Sequence, residues 1–296
     1  MILKNHENMN CFRLLSSVLD EIWDDLEGDE GTREVTVQNE SQRLRERYAK
    51  LMTSSTSVNY RNPATRYAYL AVYVASHANM VTELIRLCEE QFVGLFRGNT
   101  QITCVGGGPG SDLLGIIKYV QRLKPIETEQ RLKFHLLDHE QAWSDSWSDV
   151  DDKLSISLST YFDQLDVTNK SSWQLITKYL KADLFTMVYF ISEIYQRRDE
   201  AKPFFENLFK RAKQGACFLI IDNSTPEFLN WIDELADNND ITLRKKSDNM
   251  TLQLPPSEEK KDLGIHLKRI GQLPKLSGQI ACRILQKPLE PDCYSG

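Results

Sequence analysis

Residues 102–112 read Ile102-Thr103-Cys104-Val105-Gly106-Gly107-Gly108-Pro109-Gly110-Ser111-Asp112. The stretch joins an apolar strand, a glycine-rich turn and the start of a helix. Glycine at such a turn lets the backbone pack against a ligand, because a side chain would occupy the space that the ligand needs. The stretch therefore predicts a turn that binds a nucleotide-type ligand.

The spacing of these glycines narrows the kind of ligand. Gly106, Gly108 and Gly110 form G-x-G-x-G, whereas the dinucleotide fingerprint is G-x-G-x-x-G, and Ser111 stands where its third glycine would pack. The stretch lacks Gly-Lys-Ser/Thr, which excludes a phosphate-binding P-loop. A nicotinamide-dependent oxidoreductase is therefore disfavoured.

Composition restricts the class of protein. The chain has 296 residues, of which 41% are hydrophobic and 26% charged, as expected for one large core or a core with a small appendage. A net charge of −6 does not favour a nucleic-acid binder, although it leaves room for a local basic groove. No apolar run reaches membrane-spanning length and no signal peptide is evident, so we expect an intracellular protein, cytoplasmic or nuclear, without a membrane partner. The six cysteines form no C-x-x-C pair and predict buried thiols, with no metal site and no disulfide framework.

Downstream of the glycine turn, short apolar runs alternate with helical patterns. This alternation is typical of a mostly parallel sheet with helices on both faces, an α/β fold. Seven strands are predicted, near residues 102–105, 132–138, 160–165, 183–191, 216–222, 240–245 and 279–286. We expect residues 61–296 to form this domain, with 247–277 as an insertion that is either a surface loop or faces the substrate.

The first third of the chain is predicted to be helical. Residues 9–27 place an apolar stripe on one helix face, and Asn62-Pro63 starts a second helix, with asparagine as N-cap and proline in the first turn. We expect residues 1–60 to form a helical cap on the domain, since no linker separates the two.

The glycine turn resembles motif I of the class I S-adenosylmethionine (SAM)-dependent methyltransferases. The resemblance implies a seven-stranded Rossmann-like fold that binds SAM, with the methionine part of SAM over the turn 106–110, Pro109 included. It also implies that Asp138, which ends the second strand, holds the ribose hydroxyls. After the third strand, Asp166 with Val167 would hold adenine; Asp163 is the rival, and a helix cap is the alternative role for Asp166.

Two further residues match the cofactor pattern of that family. Asp112, in the first helical turn, would interact with the methionine amino group or only cap the helix. Arg66, on the helix that precedes the sheet, would pair with the methionine carboxylate or form a surface salt bridge. Tyr69 and Tyr73 share its helix face and are expected to be core residues.

The end of the fourth strand is where the family places its chemistry. Tyr189 and Glu193 are therefore the candidate catalytic residues, and Tyr189 also borders the cofactor. Glu193 is a candidate base or substrate anchor, with an ordinary carboxylate at a helix start as the alternative. The sequence lacks the catalytic motifs of amino-group, cytosine C5 and ribose methyltransferases.

The class of acceptor molecule is indicated only by a second, less specific resemblance. The segment around Arg66, the glycine turn and Phe162-x-x-x-Asp166-Val167-Thr168 are similar to a group that includes fungal ribosomal RNA uridine methyltransferases. That makes RNA the first acceptor to test, then a small molecule or a protein. The alternative is a SAM-binding sensor or regulatory subunit without catalysis. A basic open cleft would favour RNA, a closed aromatic one a small molecule, and the lack of a cleft the sensor.

Overall fold

The computed structural model describes residues 9–53, 58–92, 94–96, 98–123, 131–154, 158–253 and 259–289. Within these ranges seven strands form one sheet in the order β3-β2-β1-β4-β5-β7-β6. All pairings are parallel except those of β7, which runs antiparallel to both β5 and β6. The strands are β1 (Asn99–Val105), β2 (Arg131–Asp138), β3 (Ser159–Gln164), β4 (Leu184–Val188), β5 (Cys217–Asn223), β6 (Thr242–Gln253) and β7 (Ser277–Gln286).

The predicted α/β fold is confirmed, and the strand ends differ in two places. β4 ends at Val188, three residues before the predicted 191, because Tyr189 has a φ of 54° and leaves the extended conformation. β6 continues to Gln253, within the range expected to be an insertion. That range also holds a short 3-10 helix, Glu259–Leu263, and the helix α11 (His266–Arg269), while residues 254–258 lie outside the described ranges.

Helices cover both faces of the sheet. They are α1 (Cys11–Asp25), α2 (Glu30–Tyr48), α3 (Pro63–Tyr69), α4 (Ala75–Leu87), α5 (Ser111–Arg122), α6 (Trp143–Lys153), α7 (Lys170–Trp173), α8 (Ile191–Ile194), α9 (Arg198–Arg211) and α10 (Pro226–Asp237), besides α11. β4 and most of β5 are buried along their length, as expected for central strands covered on both sides.

The N-terminal helices pack onto one face of the sheet. The predicted stripe of α1 is buried, and α1 contacts α6 and the 3-10 helix. Asn62 caps α3 as predicted, since its side chain accepts a hydrogen bond from the Ala64 amide at 3.0 Å. A π-helical turn, Leu70–Val74, joins α3 to α4. Because α1 to α5 share one apolar core with the sheet, the N-terminal third helps to shape the edge of the sheet where its strands end.

Two composition-based expectations can be compared with the structure. Five cysteines, Cys11, Cys88, Cys104, Cys217 and Cys282, are buried free thiols, and Cys293 lies outside the described residues. In the part of the chain that the structure describes, every helix is too short or too polar to cross a membrane.

Candidate functional site

A cavity lies at the carboxyl ends of β1, β2 and β4, where ligands bind in open α/β sheets. It holds about 1180 Å³ of empty space, its open mouth included. Its walls bring together most of the predicted site residues: Gly106, Gly108, Pro109, Asp138, Asp166, Val167, Tyr189 and Glu193. Gly107, Gly110, Asp112 and Arg66 do not line it.

The glycine turn requires glycine for two different reasons. A Cβ on Gly106 would lie 2.1 Å from the ring of Phe190, and one on Gly110 would lie 2.6 Å from the ring of Trp147. A Cβ on Gly108 would meet nothing closer than 3.7 Å. Gly106 and Gly110 therefore serve packing, whereas Gly108 leaves room in the cavity.

Asp138 connects the end of β2 to this turn. Its Oδ2 accepts a hydrogen bond from the Gly108 amide at 3.0 Å, and its Oδ1 accepts one from the Glu140 amide at 3.0 Å. The carboxylate is thus fixed at the cavity wall, and each oxygen keeps a lone pair that these two amides do not use. His139 lies 3.6 Å from Oδ1, and its hydrogen bond with Asp138 raises the pKa of the imidazole.

The loop after β3 forms the adjoining wall. Asp166 Oδ1 accepts hydrogen bonds from the Thr168 amide at 2.9 Å and from its hydroxyl at 2.6 Å. One oxygen of Asp166 therefore acts as a local cap, while Asp166 and Val167 both line the cavity. The rival Asp163 is hydrogen-bonded with His135 at 2.5 Å and does not line the cavity.

Asp112 and Arg66 lie behind the walls. Asp112 is buried beneath the turn, its Oδ2 bonds to the Thr186 hydroxyl, and burial raises the pKa of its carboxyl group. Arg66 donates to the carbonyls of Tyr60 and Arg61 at 2.8 and 3.0 Å, which orders the chain before α3. Their contacts with a cofactor stay predictions.

The end of β4 is conformationally unusual. Tyr189 is a non-glycine residue in the left-handed region, a conformation that persists only where the surroundings hold it. Its ring stacks on His77, with centroids 4.4 Å apart, and the Lys275 ammonium donates to its hydroxyl at 2.8 Å. Burial lowers the pKa of Lys275 to about 8. The ring of Tyr189 is therefore fixed from behind the cavity.

Glu193, in the first turn of α8, faces the cavity. Its side chain is solvent-accessible and lines the cavity. Partial desolvation in the cavity, together with the charge of Asp138, raises the pKa of Glu193 to about 7, and the nearby Tyr48 hydroxyl acts in the opposite direction. Glu193 can therefore exchange a proton near neutral pH.

Four aromatic side chains, which we call the aromatic wall, line the same cavity as Glu193 and were not predicted to line it from the sequence. Tyr48, Tyr60, Tyr69 and Trp143 line the cavity. Their rings are in contact: Tyr60 lies 4.8 Å from Trp143, and Tyr69 lies 5.5 Å from Tyr60 and 5.4 Å from Trp143, between centroids. The prediction that Tyr69 and Tyr73 are core residues is confirmed, since Tyr69 is buried in the apolar core and Tyr73 packs against that core; Tyr69 also lines the cavity. The only local signal was the density of aromatic residues in 60–73.

Polar contacts hold the N-terminal part of this wall. The Gln196 side chain donates to the Met52 carbonyl at 2.7 Å, and Arg61 forms an ion pair with Glu140 at 3.3 Å. At the mouth, the Arg197 guanidinium is paired with Glu200. Among the described residues, no group of three or more His, Cys, Asp or Glu side chains is arranged to hold a metal ion.

Comparison with known proteins identifies the fold. No model of a known protein family matches the chain, and no curated protein is similar to it in sequence. An O-methyltransferase family protein from Burkholderia thailandensis superposes with a TM-score of 0.52 at 12% identity, over 88% of this chain and 72% of that one. Magnesium protoporphyrin IX methyltransferase from Synechocystis PCC 6803, solved with SAM bound, gives 0.46 at 10% identity, over 86% and 97%. A SAM-dependent methyltransferase from Methanosarcina mazei gives 0.45 at 10%, over 67% and 97%.

The chain has the class I methyltransferase fold. The fold assignment rests on the superposition with the Burkholderia thailandensis protein, on the order of the strands and on the antiparallel direction of β7. The family resemblance predicted from the glycine turn is confirmed at the level of the fold.

Proposed function

We propose that this protein is a SAM-dependent methyltransferase whose acceptor is a small molecule. When bound, SAM supplies an electrophilic methyl group on a sulfonium. The cavity fits such a cofactor on two counts: Gly108 leaves backbone open to it, and the Asp138 and Asp166 carboxylates line it at the positions that the resemblance assigns to ribose and adenine.

One observation carries the proposal: a single cavity joins the glycine turn and Asp138 to Glu193 and the aromatic wall. A cofactor held by the glycine turn and Asp138 would therefore lie in the same cavity as an acceptor held by Glu193 and the aromatic wall. Since methyl transfer from a sulfonium needs mainly proximity and alignment, with a base where the acceptor carries a proton, this arrangement is sufficient.

The aromatic wall favours a small acceptor over RNA. Tyr48, Tyr60 and Tyr69 line the cavity together with Glu193, and Trp143 continues this wall toward Gly108, whereas RNA binding calls for a basic, open groove. The arginines that line the cavity are Arg47 and Arg197, and Arg197 forms an exposed ion pair with Glu200.

The test of cofactor binding is thermal denaturation and calorimetry with SAM and S-adenosylhomocysteine. We expect dissociation constants on the order of micromolar, and a melting temperature that rises with ligand concentration. Asp138→Ala should weaken binding by roughly 1–3 kcal/mol, because charge-assisted hydrogen bonds are lost. Asp163→Ala removes a carboxylate outside the cavity and is the matched control. Equal affinities in the two variants would remove Asp138 from the site, and a shift with NAD but not with SAM would refute the proposal.

The sensor alternative is separated by labelling. Tritiated-methyl SAM is incubated with the protein and with RNA, protein and metabolite fractions in parallel. Label in the metabolite fraction supports the proposal, and label in RNA contradicts a small acceptor. A protein that binds SAM and labels none of the three fractions is a sensor.

A further inference from the structure

The acceptor half of the cavity contains one carboxylate and a set of aromatic rings. Glu193 forms no ion pair with any described residue, while the hydroxyl-bearing rings of Tyr48, Tyr60 and Tyr69 lie around it. Burial and the negative charge of Glu193 together raise the pKa of all three phenols, which keeps them neutral. A carboxylate without an ion-pair partner among the described residues thus lies beside three neutral phenol rings.

The tyrosine hydroxyls form a network beside this carboxylate. Tyr48 and Tyr60 are hydrogen-bonded to each other through their hydroxyls, and Tyr48 lies close enough to Glu193 to lower the pKa of its carboxyl group. A phenol hydroxyl is able to donate to a carboxylate, so Tyr48 is placed to stabilise the ionised form of Glu193.

The charged and titratable groups around Glu193 argue against an anionic ligand. Asp138 and Asp222 both act on Glu193 as like charges, and His139 acts as the opposite charge. Three basic side chains line the cavity: His139 hydrogen-bonds with Asp138, Arg197 pairs with Glu200, and Arg47 is the third. An anionic acceptor would therefore meet net negative charge, whereas a cationic one would be attracted by the carboxylate and by the faces of the rings.

Resting on the proposed methyltransferase function, we propose that the acceptor is a small organic amine. It would be bound as the ammonium ion between Glu193 and the rings of Tyr48, Tyr60 and Tyr69, and methylated on nitrogen. Glu193 takes one proton from the ammonium, which frees the nitrogen lone pair. The lone pair forms the new C–N bond as the methyl–sulfur bond breaks, and the sulfur keeps that electron pair as a neutral thioether. The product is the methylated ammonium ion and a protonated Glu193, so charge and protons balance.

The first experiment identifies the class of labelled product. The protein is incubated with tritiated-methyl SAM and a metabolite extract, and the products are passed over a cation exchanger at neutral pH. An N-methylated amine is retained and is released when the pH is raised above its own pKa. A labelled product that passes through uncharged, as an O-methyl ether does, overturns the proposal.

The second experiment measures binding without turnover. Benzylamine, 2-phenylethylamine and tryptamine are titrated into the protein saturated with S-adenosylhomocysteine, beside benzyl alcohol, 2-phenylethanol and tryptophol. We expect the amines to bind about tenfold or more tightly than the matched alcohols, because only the amines form a charge-assisted contact. Glu193→Gln should abolish that preference for amines. The same variant should change the affinity for S-adenosylhomocysteine by less than twofold, far less than the tenfold preference, which corresponds to about 1.4 kcal/mol. Glu206→Gln, the same change at an exposed ion pair with Lys202 outside the cavity, should keep it.

The outcomes separate this inference from the function on which it rests. A protein that fails to bind S-adenosylhomocysteine refutes the methyltransferase function itself. A protein that binds it but shows equal affinity for amines and alcohols refutes only the amine acceptor. An amine preference that survives in Glu193→Gln removes Glu193 as its cause and also overturns the proposal.

Discussion

Gly108→Ala tests whether the glycine turn is open to a ligand or is only a structural turn. Gly108 has a φ of 44°, so alanine there is strained by about 1–2 kcal/mol, partly offset by about 0.4–1 kcal/mol from a less flexible unfolded chain. The new methyl group would clash with no protein atom, since the nearest lies 3.7 Å away, in Trp143. We expect a net loss of about 1 kcal/mol in the free energy of unfolding, or about 2–4 °C in melting temperature.

The effect on ligand binding should be much larger than this loss of stability. The methyl group would project between Trp143 and Asp138 into the space proposed for the cofactor. We expect S-adenosylhomocysteine to bind at least about tenfold more weakly, a change of about 1.4 kcal/mol, as measured by calorimetry on folded protein. Gly108→Val, which adds a branched side chain, should abolish binding.

Gly264→Ala is the control for backbone strain. Gly264 has a φ of 53°, a Cβ there would meet nothing within 4 Å, and it lies outside the cavity. It should show the same small loss of stability in urea unfolding with unchanged affinity. The reasoning is refuted if Gly108→Ala binds the ligand like the wild type, or if both variants lose it equally.

Three other substitutions test the packing and the charges. Gly115→Ala would place a Cβ 2.4 Å from the Ala78 carbonyl oxygen, so α4 and α5 must separate. We expect the free energy of unfolding, measured in urea, to fall by about 1–3 kcal/mol. An unchanged urea midpoint would contradict this close contact. Arg283→Met removes a buried guanidinium that bonds Asp233 and Asp248, each at 2.6 Å; because both carboxylates reach solvent and keep Lys246 as a partner, we expect a loss of about 1–2 kcal/mol in the same assay, and wild-type stability would show that these contacts contribute nothing. The pKa of Glu193 is about 7 in the folded protein against 4.5 ordinarily, so the folded protein binds this proton more tightly than the unfolded chain does. This proton therefore stabilises the fold below pH 4.5, and the stabilisation is lost as the pH rises through 7. Measured from pH 4.5 to pH 8, the free energy of unfolding should fall less in Glu193→Gln than in the wild type.

The parts of the fold that could be predicted are those specified by neighbouring residues. The glycine turn, the apolar strands and the stripe of α1 each follow from a local pattern of residue types. The end of β6 did not, since the exposed strand Thr242–Gln253 is polar and carries no alternation that marks where it stops. The end of β4 depends on Tyr189, whose left-handed backbone is held by His77 and Lys275 from distant parts of the chain.

The candidate site also contains residues that could be predicted from local patterns and residues that could not. The residues expected around a cofactor follow strand ends, and parallel strands bring such positions together whatever else the chain does. Tyr48 and Tyr60 reach Glu193 from more than a hundred residues away in sequence, so no local pattern relates them. The direction of a helical arginine is equally non-local, and Arg66 supports the backbone at Tyr60 instead of lining the cavity.

The two parts of the cavity wall come from different parts of the chain. The glycine turn and Asp138 belong to the sheet, whereas two of the three tyrosines around Glu193, Tyr48 and Tyr60, come from the chain before α3. The exposed ion pair between Arg61 and Glu140 contributes about 0–1 kcal/mol, so the tyrosine wall is held mainly by contacts between buried rings. Substitutions among those rings can therefore change the shape and charge preference of the acceptor half while the cofactor half keeps its geometry. Under the proposed function, the N-terminal helices would therefore determine acceptor specificity, and the strand ends would determine how the cofactor is held.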